Sequence, residues 1–269
     1  MTSTSPQEAV VSHGRLETRL RAGRDSGRKL LLPYVSGGIV DGWVDIVRAY
    51  ADAGADAVEI GIPFSDPVMD GPTIQAASLR ALERGTTPAS ILTDLRGLDV
   101  DIPLIAMTYV NIPFRMGARR FAAELVGAGV NGIILPDVPL EELHEWEPAA
   151  DGAGLETVLL ASPITPDDRL DRLCRRTKGF IYGVNLLGVT GERKEMGERS
   201  AVLARRLKAI TDVPVVMGFG VSTPEQAAEV AAPADGVVVA SAIMRMVLDG
   251  GGPEEAGDFV AKLRAALDA

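Results

Sequence analysis

Ala57-Val58-Glu59-Ile60-Gly61 is a short apolar run interrupted by one carboxylate and closed by glycine, and it is preceded by Trp43 to Ala53, where apolar residues recur three and four apart. The first pattern is that of a strand buried on both faces and the second that of a helix with one apolar stripe. Moving outward in both directions, the same alternation repeats. Apolar runs occur at Leu30 to Val35, Ala57 to Ile60, Leu104 to Thr108, Gly132 to Leu135, Thr157 to Ala161, Phe180 to Val184, Val213 to Met217 and Gly236 to Ala240. None shows the polar alternation of a half-exposed antiparallel strand, so parallel pairing is expected. Arg119 to Ala128, Arg199 to Ile210 and Pro224 to Ala231 read as crossover helices between them. Eight strands with a helix after each, at about 30 residues per unit, is the arithmetic of an α/β (β/α)8 TIM barrel, and about 250 residues is the usual size of one. An open doubly wound sheet is the alternative with the same local pattern.

The chain has 269 residues, 46% of them hydrophobic and 24% charged, which excludes disorder as the main state. No linker-like stretch divides it, so one domain is expected over residues 15–269, with an extra N-terminal helix at Arg15 to Arg21 and a flexible tail over residues 1–14. The formal charge of −10 opposes broad attraction to nucleic acid or an anionic membrane. The start of the chain lacks the apolar run of a secretory signal, and no run approaches the ~18 apolar residues that span a bilayer. With Cys174 as its one cysteine, no intramolecular disulfide is possible. A cytoplasmic location is the expectation.

A barrel places its chemistry at the C-terminal ends of the strands, so carboxylates there carry most information. Glu59 lies inside an apolar strand, where an unpaired charge is costly; it either has a chemical task or pairs with a neighbouring strand. The loop after it, Pro63-Phe64-Ser65-Asp66-Pro67-Val68-Met69-Asp70-Gly71-Pro72, is long and stiffened by three prolines. Asp66 and Asp70 are candidates there, although Asp before Pro or Gly is also ordinary turn chemistry. Asp137 closes the fourth run, and Gly188-Val189-Thr190-Gly191-Glu192-Arg193 follows the sixth as a hinged, lid-like segment. Gly218-Phe219-Gly220 after the seventh run and Ala240-Ser241 after the eighth stand where barrels often bind phosphate, with a short helix presenting its N-terminal N–H groups. No lysine ends a strand, which argues against a Schiff base, and His13 and His144 fall outside the strand ends, so no zinc site is expected. What remains is cofactor-free proton transfer by carboxylates on a phosphorylated substrate.

The run Glu59-Ile60-Gly61-Ile62-Pro63-Phe64-Ser65-Asp66-Pro67-Val68-Met69-Asp70-Gly71-Pro72-Thr73-Ile74-Gln75, together with Met107-Thr108-Tyr109, Pro136-Asp137, Gly188-Val189-Thr190-Gly191 and Gly218-Phe219-Gly220, resembles the tryptophan synthase alpha chain family from about Leu31 to the last helix. The resemblance implies a barrel lyase that cleaves indole-3-glycerol phosphate to indole and glyceraldehyde 3-phosphate, commonly in a heterotetramer with a pyridoxal-phosphate beta chain. It implies Glu59 as acid and base and Asp70 as the second carboxylate. Tyr34, Met107, Tyr109, Tyr182 and Phe219 would line the indole pocket, Asp137 and Thr190 would contact substrate, and Gly191, Gly220, Ala240 and Ser241 would surround the phosphate. Three positions depart from the family pattern: Ser36-Gly37-Gly38-Ile39 stands where a Gly-Asp-Pro turn is usual, Asn185 replaces Ser, and Ala240 replaces Gly. A stand-alone paralogue releasing free indole, or cleaving a related indole glycerol phosphate in a specialised pathway, is the second reading. A catalytically silent barrel regulating a partner is the third, and retention of both Glu59 and Asp70 speaks against it.

Overall fold

Leu30 sits beside Gly236 and Pro33 beside Val239, so the first and last strands of the chain pair directly and the sheet closes on itself. In the computed structural model, which describes residues 13–184 and 193–269, the strands follow in chain order around the barrel: β1 (Leu30–Ser36), β2 (Val58–Gly61), β3 (Leu104–Met107), β4 (Val130–Ile134), β5 (Glu156–Ala161), β6 (Ile181–Val184), β7 (Val215–Gly218) and β8 (Gly236–Val239). All neighbouring pairs are parallel. The closing β1–β8 pair excludes the open doubly wound sheet. It also needs Gly236, because a β-carbon there would lie 2.4 Å from the Leu30 carbonyl oxygen.

The helices are α1 (Arg15–Asp25), α2 (Val44–Asp52), α3 (Pro72–Glu83), α4 (Pro88–Arg96), α5 (Asn111–Met116), α6 (Ala118–Gly127), α7 (Glu147–Ala153), α8 (Asp167–Arg176), α9 (Arg193–Ile210), α10 (Pro224–Ala231), α11 (Ser241–Leu248) and α12 (Pro253–Leu267), with a 3-10 turn at Leu140–Glu145. The simple expectation of one helix per strand is exceeded where local chemistry breaks the chain. Gly117, at φ +86, separates α5 from α6, and a Thr87–Ser90 capping box restarts the chain as α4 after α3.

Alternation along each strand divides the core in two. Leu30, Leu32, Ala57, Ile105, Ile134, Val158, Phe180, Val216 and Val238 fill the barrel interior, whereas Leu31, Val35, Val58 and Ile60 face the helices. The interior cluster also contains Leu16 and Leu20 of α1, both fully buried. This helix plugs the floor of the barrel. Glu156, at the start of β5, accepts hydrogen bonds from the Leu16 and Glu17 backbone N–H groups at 2.8 and 3.0 Å, and so caps a helix 140 residues away. Gly132 leaves room for the plug, since a β-carbon there would stand 2.6 Å from Leu16.

Candidate active site

Glu59 points inward because its strand neighbours Val58 and Ile60 point to the helices. It lies opposite Tyr34 of β1 and Ile105 of β3 and is 1% exposed. Its Oε2 has no hydrogen-bond partner among the described residues. Burial, and secondarily the charge of Asp70, push its carboxyl up to about 8. Asp70 arrives on the loop after β2, which is clamped at several points. The Asp70 N–H donates to the Pro67 carbonyl at 3.0 Å, Gln75 Nε2 donates to the Asp70 carbonyl at 2.9 Å, and the Met69 N–H donates to Tyr109 Oη at 3.0 Å. Phe64 stacks on the Tyr109 ring with centroids 5.1 Å apart. The Asp70 carboxyl is raised to about 6 by burial, an effect the Tyr109 hydroxyl partly offsets. Both carboxyls are thus pushed upward, Glu59 further than Asp70, which sets their pKa values apart as an acid and base pair requires.

The tyrosines complete this chamber. Burial first, then the neighbouring carboxylates, make the phenols of Tyr34 and Tyr182 far less acidic than usual, and Tyr109 is shifted the same way. Tyr34 rests over Gly61 and Tyr182 over Gly218, where β-carbons would collide with the rings. Met107, half-buried at the end of β3, pairs with Gly61. Phe219, 7% exposed just after β7, belongs to the same buried cluster as Tyr34. Asp137 accepts the Val110 N–H at 3.0 and 3.2 Å, adds to the upward shift of the Tyr109 phenol, and lines a cavity of about 500 Å³ with Phe114, Val138 and Trp146.

Gly220 has φ +69 and open space where a β-carbon would stand. Across from it, Ala240 is the N-cap of α11 and its carbonyl accepts the Met244 N–H. No side chain caps the first turn, so its N–H groups, with the exposed Ser241 hydroxyl, have anion-binding character. Ala240 adopts φ −116, a value open to any L residue, so its β-carbon brings no backbone strain. The turn after β1 is held by the Ile39 N–H donating to the Ser36 carbonyl at 3.3 Å, with Gly38 at φ +76 against Thr86. Thr190, Gly191, the rest of the lid-like segment to Glu192, and Asn185 lie outside the described residues, as do residues 1–12 of the expected tail. Sequence reading passed over Ser36, which is inward-facing and fully buried with its Oγ unpaired; the alternation Leu30, Leu32, Tyr34, Ser36 was the signal for it.

Comparison with known proteins agrees with this geometry. Residues 20–266 match the sequence model of a family described as the tryptophan synthase alpha chain. The tryptophan synthase alpha chain of Prochlorococcus marinus is 42% identical over 264 residues, covering 95% of this chain and 96% of that one. That of Streptomyces avermitilis is 44% identical over 238 residues, covering 87% and 86%. Among solved structures, tryptophan synthase subunit alpha from Legionella pneumophila superposes with a TM-score of 0.85 at 32% identity, over 96% of this chain and 99% of that one. A chain of Mycobacterium tuberculosis tryptophan synthase gives 0.88 at 32% identity, over 96% and 100%. Closed barrel, strand-end carboxylates and near full-length similarity converge, and the chain belongs to the tryptophan synthase alpha chain family.

Proposed function

We propose that Glu59 and Asp70 carry out the family's lyase reaction in this chain, the cleavage of indole-3-glycerol phosphate to indole and glyceraldehyde 3-phosphate. The arrangement that carries this reading is Glu59, fully buried on the inner face of β2, with the Asp70 carboxyl near enough to push it up further than burial alone does. The bond from indole C3 to the glycerol chain breaks only after C3 is protonated, because the resulting indolenine accepts the bonding electrons. Protonated Glu59 supplies that proton. Its carboxylate then takes the proton of the adjacent hydroxyl as that carbon becomes the aldehyde. Asp70 accepts the indole N–H and stabilises positive charge developing on the ring. Tyr34, Met107, Tyr109, Tyr182 and Phe219 enclose the ring, Asp137 and Thr190 serve substrate contact, and Gly191, Gly220, Ala240 and Ser241 cradle the phosphate, which reconciles an anionic substrate with an acidic protein.

A tryptophan synthase beta chain is the proposed partner. Val68, on the loop after β2, and Phe114, in α5 after β3, are 79% and 73% exposed and offer an apolar surface beside the mouth. No helix among the described residues is long and apolar enough to cross a membrane. Incubation with indole-3-glycerol phosphate, with and without a beta chain, tests the reading. Activation by the beta chain supports the subunit role, fast indole release alone supports a stand-alone lyase, and binding without turnover refutes the assignment of Glu59 and Asp70.

A further inference from the structure

Two buried polar atoms in the chamber have no hydrogen-bond partner among the described residues, Ser36 Oγ and Glu59 Oε2. Both flank Tyr34. Ser36 is two residues further along the same strand, on the same inward face, and Glu59 is directly opposite on β2. The Tyr34 hydroxyl lies over Gly61, the β2 residue paired with Ser36, and only the missing β-carbon of Gly61 leaves it that space; an added β-carbon would be 1.8 Å from Tyr34 Oη. Ser36 is also close enough to Tyr34 to make its phenol more acidic, against the stronger opposing effects of burial and the two carboxylates.

We infer that Ser36 is a positioning residue, which, resting on Glu59 as the acid–base group, holds the Tyr34 hydroxyl in a three-membered chain from Ser36 through Tyr34 to Glu59. The count of donors and acceptors fixes the direction of the chain when Glu59 is ionised and permits its reversal when Glu59 is protonated. An ionised carboxylate only accepts, so Tyr34 must donate to it and Ser36 must donate to Tyr34. Once Glu59 takes up its proton it donates to Tyr34, which turns its own proton to Ser36. One phenol thereby satisfies both unpaired atoms in each state, and Glu59 is oriented both when it gives a proton and when it takes one. The ionised arrangement is the stronger, because a hydrogen bond to a charged acceptor exceeds one between neutral groups. Removing the chain therefore raises the Glu59 titration. The groups facing Glu59 among the described residues are Tyr34 from β1, Asp70 from the loop after β2 and Tyr182 from β6, with Ile105 and Met107 from β3 and apolar side chains from the other strands. None of these is altered by a change at Ser36.

The test uses the full-length protein labelled with 13C at the glutamate carboxyl, the Glu59 resonance being assigned by its loss in Glu59→Gln. Ser36→Thr and Ser36→Val have nearly the same shape and differ in the hydroxyl. Ser36→Thr is expected to titrate like wild type. Ser36→Val and Tyr34→Phe are expected to move Glu59 upward, Tyr34→Phe by about one pH unit or more, with the corresponding limb of the kcat profile moving in the same direction. Equal titrations for the Thr and Val variants, or an unmoved Glu59 in Tyr34→Phe, overturn the inference. The carboxyl titration needs no turnover, so a failure of the catalytic assignment, seen as an active Glu59→Gln, is distinguished from a failure of the chain.

Discussion

Replacing Glu59 by Gln is expected to abolish a loss of stability that the wild type suffers as the pH rises, along with its activity. The carboxyl is held at about 8 in the folded state against an ordinary 4.5, so the native protein binds this proton more tightly than the unfolded chain does. That contribution to stability is complete below about pH 4.5 and disappears as the pH climbs through 8. The gap of about 3.5 pH units at about 1.4 kcal/mol each, with partial titration at both ends of a range from pH 5 to pH 8.5, leaves about 4 kcal/mol. Wild type should lose stability of this order relative to Glu59→Gln across the range. Comparing two pH values removes the fixed cost of burying an amide, which is the same at both. Asp70, raised to about 6, remains in both proteins and largely cancels. Urea unfolding of both proteins at pH 5, 7 and 8.5 measures the difference. Parallel stability curves would show that the buried carboxyl is solvated or paired in solution, and the account of Glu59 as a proton-holding acid would fall.

Turnover provides the companion measurements. Glu59→Gln should lower kcat by ~10²-fold or more with substrate binding largely kept, and Asp70→Asn should lower kcat because an amide stabilises ring charge less well; a normal kcat in either removes that residue from the mechanism. Ser241→Asp should weaken binding of glycerol 3-phosphate, measured by calorimetry, by placing like charge at the first turn of α11. Glu156→Ala should strip the cap from α1 and cost about 1–2 kcal/mol in urea unfolding, without a change in kcat if the plug serves stability alone.

The apolar runs located every strand to within two residues because a parallel barrel strand is buried on both faces and must be apolar almost throughout. Glu59 was legible for the same reason, as the one charge such a strand does not tolerate without cause. Asp70 needed the family resemblance, since an Asp before Gly looks like any turn; the Tyr109 hydroxyl that holds the neighbouring Met69 N–H comes from another strand and leaves no mark in the local sequence. Ser36 escaped because it was read as the first residue of a loop, whereas pairing with Gly61 extends β1 through it. Asp137 carried the opposite lesson. The resemblance implied a substrate contact for it, and the structure shows its carboxylate serving the Val110 N–H, a use that spacing alone does not disclose.

The cap on α1 has a consequence for how the chain is made. Among the described residues α1 is synthesised first; it buries Leu16 and Leu20 in a floor that includes Val158 and Phe180 and receives its cap from Glu156. At about 5–20 residues per second, the interval between synthesis of α1 and of its acceptor is roughly 7–28 s. Throughout that interval Leu16 and Leu20 lack the floor they will fill, and the nascent chain presents a binding site for chaperones until the barrel closes.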